Sequence, residues 1–277
     1  MVLPDRQAIY PGLTYVDSSS FLHRLHPLVK LVLLFSFSFT VFALSSLVGE
    51  VLLFCLLVAA LPLAGLGPAF FFRKLRFILF FGFFIFLVQL LAVREGLLLW
   101  QLALGPLTLS LWSAGFLGGL AMMLRFLNII GASFLFVATT DPNRLAYALM
   151  EAGLPYRFGF MLITALRFIP LFQLELTQVR NAQLAKGIDL EGLSPRKLLT
   201  AVKYLYLPLV ISALSKVETL AISMENRAFG LYPSRTYLAS QALTGREKGA
   251  CLAIPLLFLL LYLALEGGSS LAGIPYL

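Results

Sequence analysis

Charge is scarce in this 277-residue sequence, and acid is scarcer than base: 13 Asp and Glu stand against 21 Lys and Arg, and charged residues make up only 12% of the chain. Soluble globular domains carry about 25% charged residues, so a water-facing surface over the whole molecule is excluded. Cysteine is almost missing. Cys55 and Cys251 both fall inside apolar runs, where a thiol packs as a small apolar group, and no disulfide framework follows. Only two histidines occur, His23 and His26 beside Arg24, with no cysteine or carboxylate cluster to complete a metal site. Also missing are a Gly-x-x-x-x-Gly-Lys-Ser/Thr phosphate loop, a His-Glu-x-x-His helix, a Ser, His and Asp arrangement, and paired carboxylates within the apolar runs. The chain is therefore expected to have no catalytic residues, no metal and no cofactor of its own. Basic and aromatic residues do not interleave, which argues against nucleic acid as a partner.

What the sequence has in quantity is hydrophobic residue, 60% of the total. Apolar runs near 28 to 47, 50 to 68, 77 to 93, 113 to 138 and 249 to 266 are close to the ~20 residues needed to cross a bilayer. They predict five spans in the cell (cytoplasmic) membrane, the second and third separated by little more than Pro68 and the cluster Arg73, Lys74 and Arg76. Orientation follows from the basic residues. With the N-terminus inside and the C-terminus outside, nineteen of the 21 would be cytoplasmic: Arg6, Arg24, Lys30, the cluster at 73 to 76, and thirteen between Arg144 and Lys248. Arg94 alone would face out and Arg125 alone would sit within a span, which satisfies the positive-inside rule. Membrane topology then accounts for the net charge of +8. Pro4, Asp5 and Pro11 ahead of the first run match a cleavable signal peptide poorly, so the first span is expected to stay in the mature protein.

Residues 139 to 248 are too apolar for a disordered linker. Thr140, Asp141 and Pro142 give a helix start, and Gly153 with Pro155 a stop. A second helix is expected from Tyr156 to Lys186, bent near Pro170 and closed by Gly187. After a turn at Gly192, Ser194 and Pro195, a third runs from about Lys197 to Ala228 with a kink at Pro208. Val210, Leu214, Val217, Ala221 and Met224 recur at helical spacing and predict a seam along which this helix packs. The domain reading is thus a membrane part at 1-138, coupling helices on the cytosolic side at 139-248, and a last span with tail at 249-277.

A short basic motif ends each of the two long helices: Ala185-Lys186-Gly187 and, 41 residues on, Asn226-Arg227-Ala228. A cation in the last turn of a helix is favoured by the exposed carbonyls. Capping explains one such residue; two on consecutive amphipathic helices point to two matched partner sites. Arg125 is a further candidate, because charge inside a span is costly, and Gly115, Gly118 and Gly119 in the same run form a surface that lets another helix come close.

Several fragments in order carry a resemblance to a known family: His23-Arg24-Leu25-His26-Pro27 with Lys30, Thr140-Asp141-Pro142, Gly153-Leu154-Pro155, Ala165-Leu166-Arg167-Phe168-Ile169-Pro170, Ala182-Gln183-Leu184-Ala185-Lys186-Gly187 and Met224-Glu225-Asn226-Arg227-Ala228-Phe229-Gly230. Together they resemble the transmembrane T component of energy-coupling-factor (ECF) transporters, which includes the T subunits of biotin and of cobalt or nickel importers. The resemblance implies an all-α integral membrane protein in which two long coupling helices cross on the cytosolic side. Each basic tip, Lys186 and Arg227 here, would dock in a groove of one of two ABC ATPase subunits, a homo- or heterodimer that binds the ATP and Mg. A separate membrane S component would bind the vitamin or metal ion. The family's usual motif is Ala-Arg-Gly in both places. This chain has Lys for Arg in the first, which loses the bidentate fork, and Asn and Ala as neighbours in the second. The alternative is a self-contained secondary transporter or channel, with a solute site near midplane. An integral membrane enzyme would have to draw on Asp141, Glu175, Glu218 or Glu225.

Overall fold

The computed structural model describes residues 20–65, 68–93, 95–104, 107–187, 195–232 and 243–272. Pro4, Asp5, Arg6, Pro11, Arg94, Gly192 and Ser194 lie outside them. In order the elements are α1 (Phe21–Arg24), α2 (Pro27–Ala43), α3 (Leu47–Leu63), α4 (Pro68–Ala92), β1 (Leu98–Leu104), β2 (Leu107–Trp112), α5 (Ser113–Thr139), α6 (Pro142–Glu151), α7 (Tyr156–Ala185), α8 (Pro195–Asn226) and α9 (Gly245–Ala272). The body is all-α and the five apolar runs become α2, α3, α4, α5 and α9. The sequence reading lacked one element, the antiparallel β1–β2 hairpin between α4 and α5. Pro68 and the basic cluster do not form a loop; Pro68 opens α4 and the cluster lies in its first turns.

Length and hydropathy qualify α5, α7, Val202–Asn226 of α8 and Gly245–Glu266 of α9 as able to cross a membrane, while α2, α3 and residues 78–92 are shorter apolar helices. The chain separates into two compact units. One holds the described residues of Pro11–Ala148 and Gln241–Leu277, the other those of Leu149–Ser240.

In the first unit α5 is the hub, packing on α4, α3 and α2, while α2 also packs on α9. Leu53, Leu57 and Leu61 of α3 meet Leu127 and Leu135 of α5 in one buried cluster. Phe37 of α2 meets Phe258 of α9 edge-on, with ring centroids 6.1 Å apart. Two of the three glycines expected to admit a neighbour do so: a Cβ at Gly115 would stand 3.0 Å from the Val93 carbonyl oxygen, and one at Gly119 3.1 Å from that of Phe86. Gly118 faces open space.

Most of the buried polar side chains in this unit have partners, although Asn128 Oδ1 and Thr140 Oγ1 have none. His26 caps α2 by accepting from the Leu28 amide at 3.3 Å, and His23 Nδ1 lies 2.7 Å from Ser20 Oγ. Lys30 Nζ donates to the carbonyls of Thr139 at 2.7 Å and His23 at 3.4 Å, placing its cation at the C-terminus of α5 where the dipole favours it. The fragments at 23–30 and 139–142 are thereby brought together, and Asp141 then starts α6 by accepting from the Asn143 amide at 2.9 Å.

The partner of Arg125 is Glu50, which the sequence reading missed. Arg125 Nε donates to Glu50 Oε1 at 3.0 Å, and its Nη2 donates to the Leu44 carbonyl. Asn128 Nδ2 donates to Glu50 Oε2 at 3.1 Å and to the Glu50 carbonyl at 3.0 Å. Glu50 and Asn128 are both fully buried. A signal existed. Glu50 is the sole acid between residues 18 and 94, and Arg125 the sole charge between 96 and 140, so two isolated charges within apolar runs marked each other as candidates. We predict that Glu50→Ala or Arg125→Ala alone will destabilise the detergent-solubilised protein by ~3–5 kcal/mol, the cost of a buried charge left unpaired, and that the double variant will lose less than the sum. Denaturation of the three variants checks this; additive losses would show that the residues do not act as a pair.

Candidate functional site

In the second unit α7 and α8 lie side by side and antiparallel, because contact positions fall along one helix as they rise along the other. Lys216 Nζ donates to Glu175 Oε1, and Ser212 Oγ donates to the same oxygen at 2.9 Å. Further along, Gln183 Nε2 donates to the Tyr204 carbonyl at 3.3 Å. Pro208 is the cause. In a helix the Tyr204 carbonyl would accept from residue 208, and proline has no amide hydrogen; the α7 glutamine supplies the missing donor. At the other end Phe229, just past α8, packs on Phe160 and Tyr156 of α7, with centroids 4.6 and 5.9 Å apart.

Both basic motifs close their helices with the same backbone device. At the end of α8 the Phe229 amide donates to the Met224 carbonyl at 3.0 Å and the Ala228 amide to that of Glu225 at 2.9 Å. This is a Schellman motif, with Arg227 as the C-cap and Ala228 in the left-handed region at φ 53°. At the end of α7 Lys186 is the C-cap, Gly187 has φ 75°, and its amide donates to the Leu184 carbonyl at 2.9 Å. Ala185 and Asn226 therefore hold equivalent positions, as do Lys186 and Arg227, and Gly187 and Ala228. All six are exposed. Because the helices are antiparallel, the two tips stand at opposite ends of the pair. Arg227 is level with Phe160 and Lys186 is 26 residues further along α7, ~39 Å on a straight axis at 1.5 Å per residue.

The seam is where the structure corrects the sequence reading. Val210, Leu214 and Val217 are 50%, 64% and 55% exposed, Ala221 is exposed as well, and only Met224 is half-buried. The stripe of α8 turned toward α7 runs instead through Leu205, Leu209, Ser212, Lys216 and Leu220. Helical periodicity identifies an apolar face but not what covers it, and here the more apolar stripe is left outside the helix pair. Of the other acids considered, Glu175 is taken up by the α7–α8 clamp, Asp141 by the α6 cap, and Glu218 and Glu225 are exposed; they converge on no common point.

A left-handed alanine costs ~1–2 kcal/mol that glycine avoids, and the ring of Phe229 between Tyr156 and Phe160 helps to hold it there. Ala228→Gly should therefore raise thermal stability by about 1 kcal/mol, whereas Ala228→Val should lower it. Melting of the purified chain checks this, and an unchanged or lower midpoint for the glycine variant would contradict the strained cap.

Residues 18–238 match the family model described as CbiQ, cobalt transport protein. Curated relatives align along nearly their whole length. The energy-coupling factor transporter transmembrane protein EcfT of Exiguobacterium sibiricum is 30% identical over 262 residues, covering 92% of this chain and 98% of its own. That of Bacillus subtilis is 28% identical over 256 residues, covering 90% and 95%, and that of Macrococcus caseolyticus is 30% identical over 262 residues, covering 90% and 96%. With its apolar helices and the paired tips in the matched region, the chain belongs to the CbiQ family and is a multi-pass transmembrane T component of the EcfT type.

Proposed function

We propose that this T component couples ATP-driven motion of two ABC ATPase subunits to a substrate-binding membrane S component, within an importer for a vitamin or metal ion. The observation that carries the proposal is the pair of tips: two exposed cations, each presented by the same left-handed helix end, at opposite ends of one antiparallel helix pair. A dimer of ATPases offers two grooves, and a helix end of this form presents a cation together with a compact backbone turn to each. ATP and Mg would be bound by the ATPases. The C-cap geometry is shared but the chemistry is not, since Arg227 can fork across a carboxylate while Lys186 offers a point charge. In this reading α7 and α8 and their tips lie on the cytosolic side, with the N-terminus inside and the C-terminus outside.

The mechanism is conformational. Closure of the ATPases displaces the tips, the clamp of Glu175, Ser212 and Lys216 keeps α7 and α8 moving as one body, and the exposed stripe at Val210, Leu214, Val217 and Ala221 changes its presentation to the S component. The exposed stripe of α8 thus has a use that internal packing would have denied it. The alternative of a self-contained transporter gains nothing from the buried polar cluster, because Arg125 and Asn128 occupy both carboxylate oxygens of Glu50.

Reversing Lys186→Glu and Arg227→Glu together should abolish ATP-dependent uptake while the protein remains inserted, each single change giving a partial loss; full uptake by the double variant would end the docking proposal. Leu214→Asp should leave the amount of inserted, folded chain unchanged and reduce co-purification of the S component. A collapse in folded protein would instead place Leu214 in an internal interface.

A further inference from the structure

We propose that the hydrocarbon boundary around the membrane unit is stepped: beside α2, α3 and α9 water and lipid headgroups descend to the level of Arg125, while beside α4 and α5 the acyl chains continue past it. Two contacts set the levels. Lys30 donates to the Thr139 carbonyl at 2.7 Å, and Arg125 donates to the Leu44 carbonyl. Fourteen residues separate Lys30 from Leu44, and fourteen separate Arg125 from Thr139. The helices α2 and α5 therefore run level and antiparallel for ~21 Å at 1.5 Å per residue. There α2 ends, and α3 turns back from the same height, since Glu50 in its first turn holds Arg125. By contrast α5 continues twelve residues further to Ser113, ~18 Å more. Its neighbour α4 goes with it, as the close approaches of Gly119 to Phe86 and of Gly115 to Val93 show.

Polarity changes at the height where α2 stops. The turn carries Ser45 and Ser46, with Ser45 exposed. In α9 no charge occurs from 249 to 265, ~26 Å of helix, and the acid that ends this stretch, Glu266, accepts from the Ser45 amide at 3.4 Å. Gly267, Gly268, Ser269 and Ser270 follow it in the sequence. An exposed turn, an acid and the guanidinium of Arg125, whose side chain is 23% exposed, thus lie at one height. Beyond that height α4 and α5 stay apolar: residues 77–93 and 96–124 hold no charge, and Phe116, nine residues past Arg125, is 45% exposed.

Thickness decides where the boundary runs. A hydrocarbon core of ~30 Å that begins at Lys30 would end near residue 119 of α5, ~9 Å past the α2–α3 turn. A flat boundary at that height would leave lipid-facing irregular backbone and a carboxylate inside the hydrocarbon, where neither is stable. Tilting α5 does not relieve this, because α2 is level with it and the turn sinks further as α5 leans. A flat boundary at the turn would instead expose the apolar extension of α4 and α5 to water. A step satisfies both edges, and a bilayer meets a short hydrophobic edge by thinning locally. In the orientation proposed above, the step lies in the outer leaflet.

Nitroxide accessibility tests the step. The full chain with Cys55→Ser and Cys251→Ser, labelled at Ser45→Cys, Phe39→Cys or Phe116→Cys, is reconstituted in phosphatidylcholine nanodiscs. Relaxation of the label by oxygen, which concentrates in hydrocarbon, is compared with relaxation by an aqueous nickel chelate. The step requires nickel to dominate at 45 and oxygen to dominate at 39, six residues down α2 and 72% exposed. It also requires oxygen to dominate at 116, although 116 stands farther from the level of Lys30 than 45 does. Oxygen dominance at 45 would make the boundary flat above the turn, and nickel dominance at 116 would put the extension of α4 and α5 in water. Low access of both reagents at 45 would mean that protein covers the turn. Each of these three results overturns the proposal, and Val48→Cys, 52% exposed in the first turn of α3, gives the reading if Ser45→Cys fails to insert.

Discussion

A lone carboxylate and a lone guanidinium in apolar surroundings have one affordable arrangement, and the membrane unit is arranged around it. Glu50 in the first turn of α3 is the sole acid between residues 18 and 94, and Arg125 midway along α5 is the sole charge between 96 and 140. Burial of either alone would cost several kcal/mol. Their pairing fixes the rotation and height of α5 against α3, and Asn128, one turn on, takes the remaining carboxylate oxygen and the Glu50 carbonyl. With α5 so placed, Gly115 and Gly119 can bring it close to the backbone of α4, and its last carbonyl receives Lys30 from α2. Hydrophobic area supplies most of the packing in this unit, but apolar contacts slide, and the ion pair sets the register.

The helix pair of the second unit follows different rules. Its interface mixes a few leucines with a carboxylate clamp, a glutamine that repairs a proline defect, and an aromatic cluster beyond the end of α8. Such an interface fixes axial position while leaving the most apolar stripe of α8 uncovered. That division suits the proposed role of a part that holds its own shape and also binds a neighbour. It also ties the proposed docking ends to the fold: the ring of Phe229 anchors the turn that presents Arg227, so the geometry of one tip is set by side chains at the start of α7.

Much of this was legible in the residues. The five runs became helices, although α4 begins nine residues before the expected 77 and α9 ends six beyond the expected 266; α7 and α8 began and ended within two residues of expectation, because proline and glycine act through local backbone geometry. The tips were legible too, since a cation at a helix end is a local pattern, Lys186 before Gly187 and Arg227 before Ala228. Arg125 is recognisable in the sequence, but its partner lies 75 residues away, beyond the reach of any local pattern. The hairpin was missed because it falls between the apolar runs at 77 to 93 and 113 to 138, and the pairing of its strands is a relation that hydrophobic periodicity does not record.

The sequence by itself determined the membrane class, the helical inventory and the chemistry of the two basic ends, all of which depend on composition or on residues within a turn of each other. Tertiary structure alone decided which apolar stripe of α8 is covered, that Lys186 and Arg227 stand at opposite ends of one rod, and that Glu50 belongs to Arg125. Those are relations between segments distant along the chain. They are fixed by which surfaces meet, and hydrophobic periodicity records that a face is apolar without recording its partner.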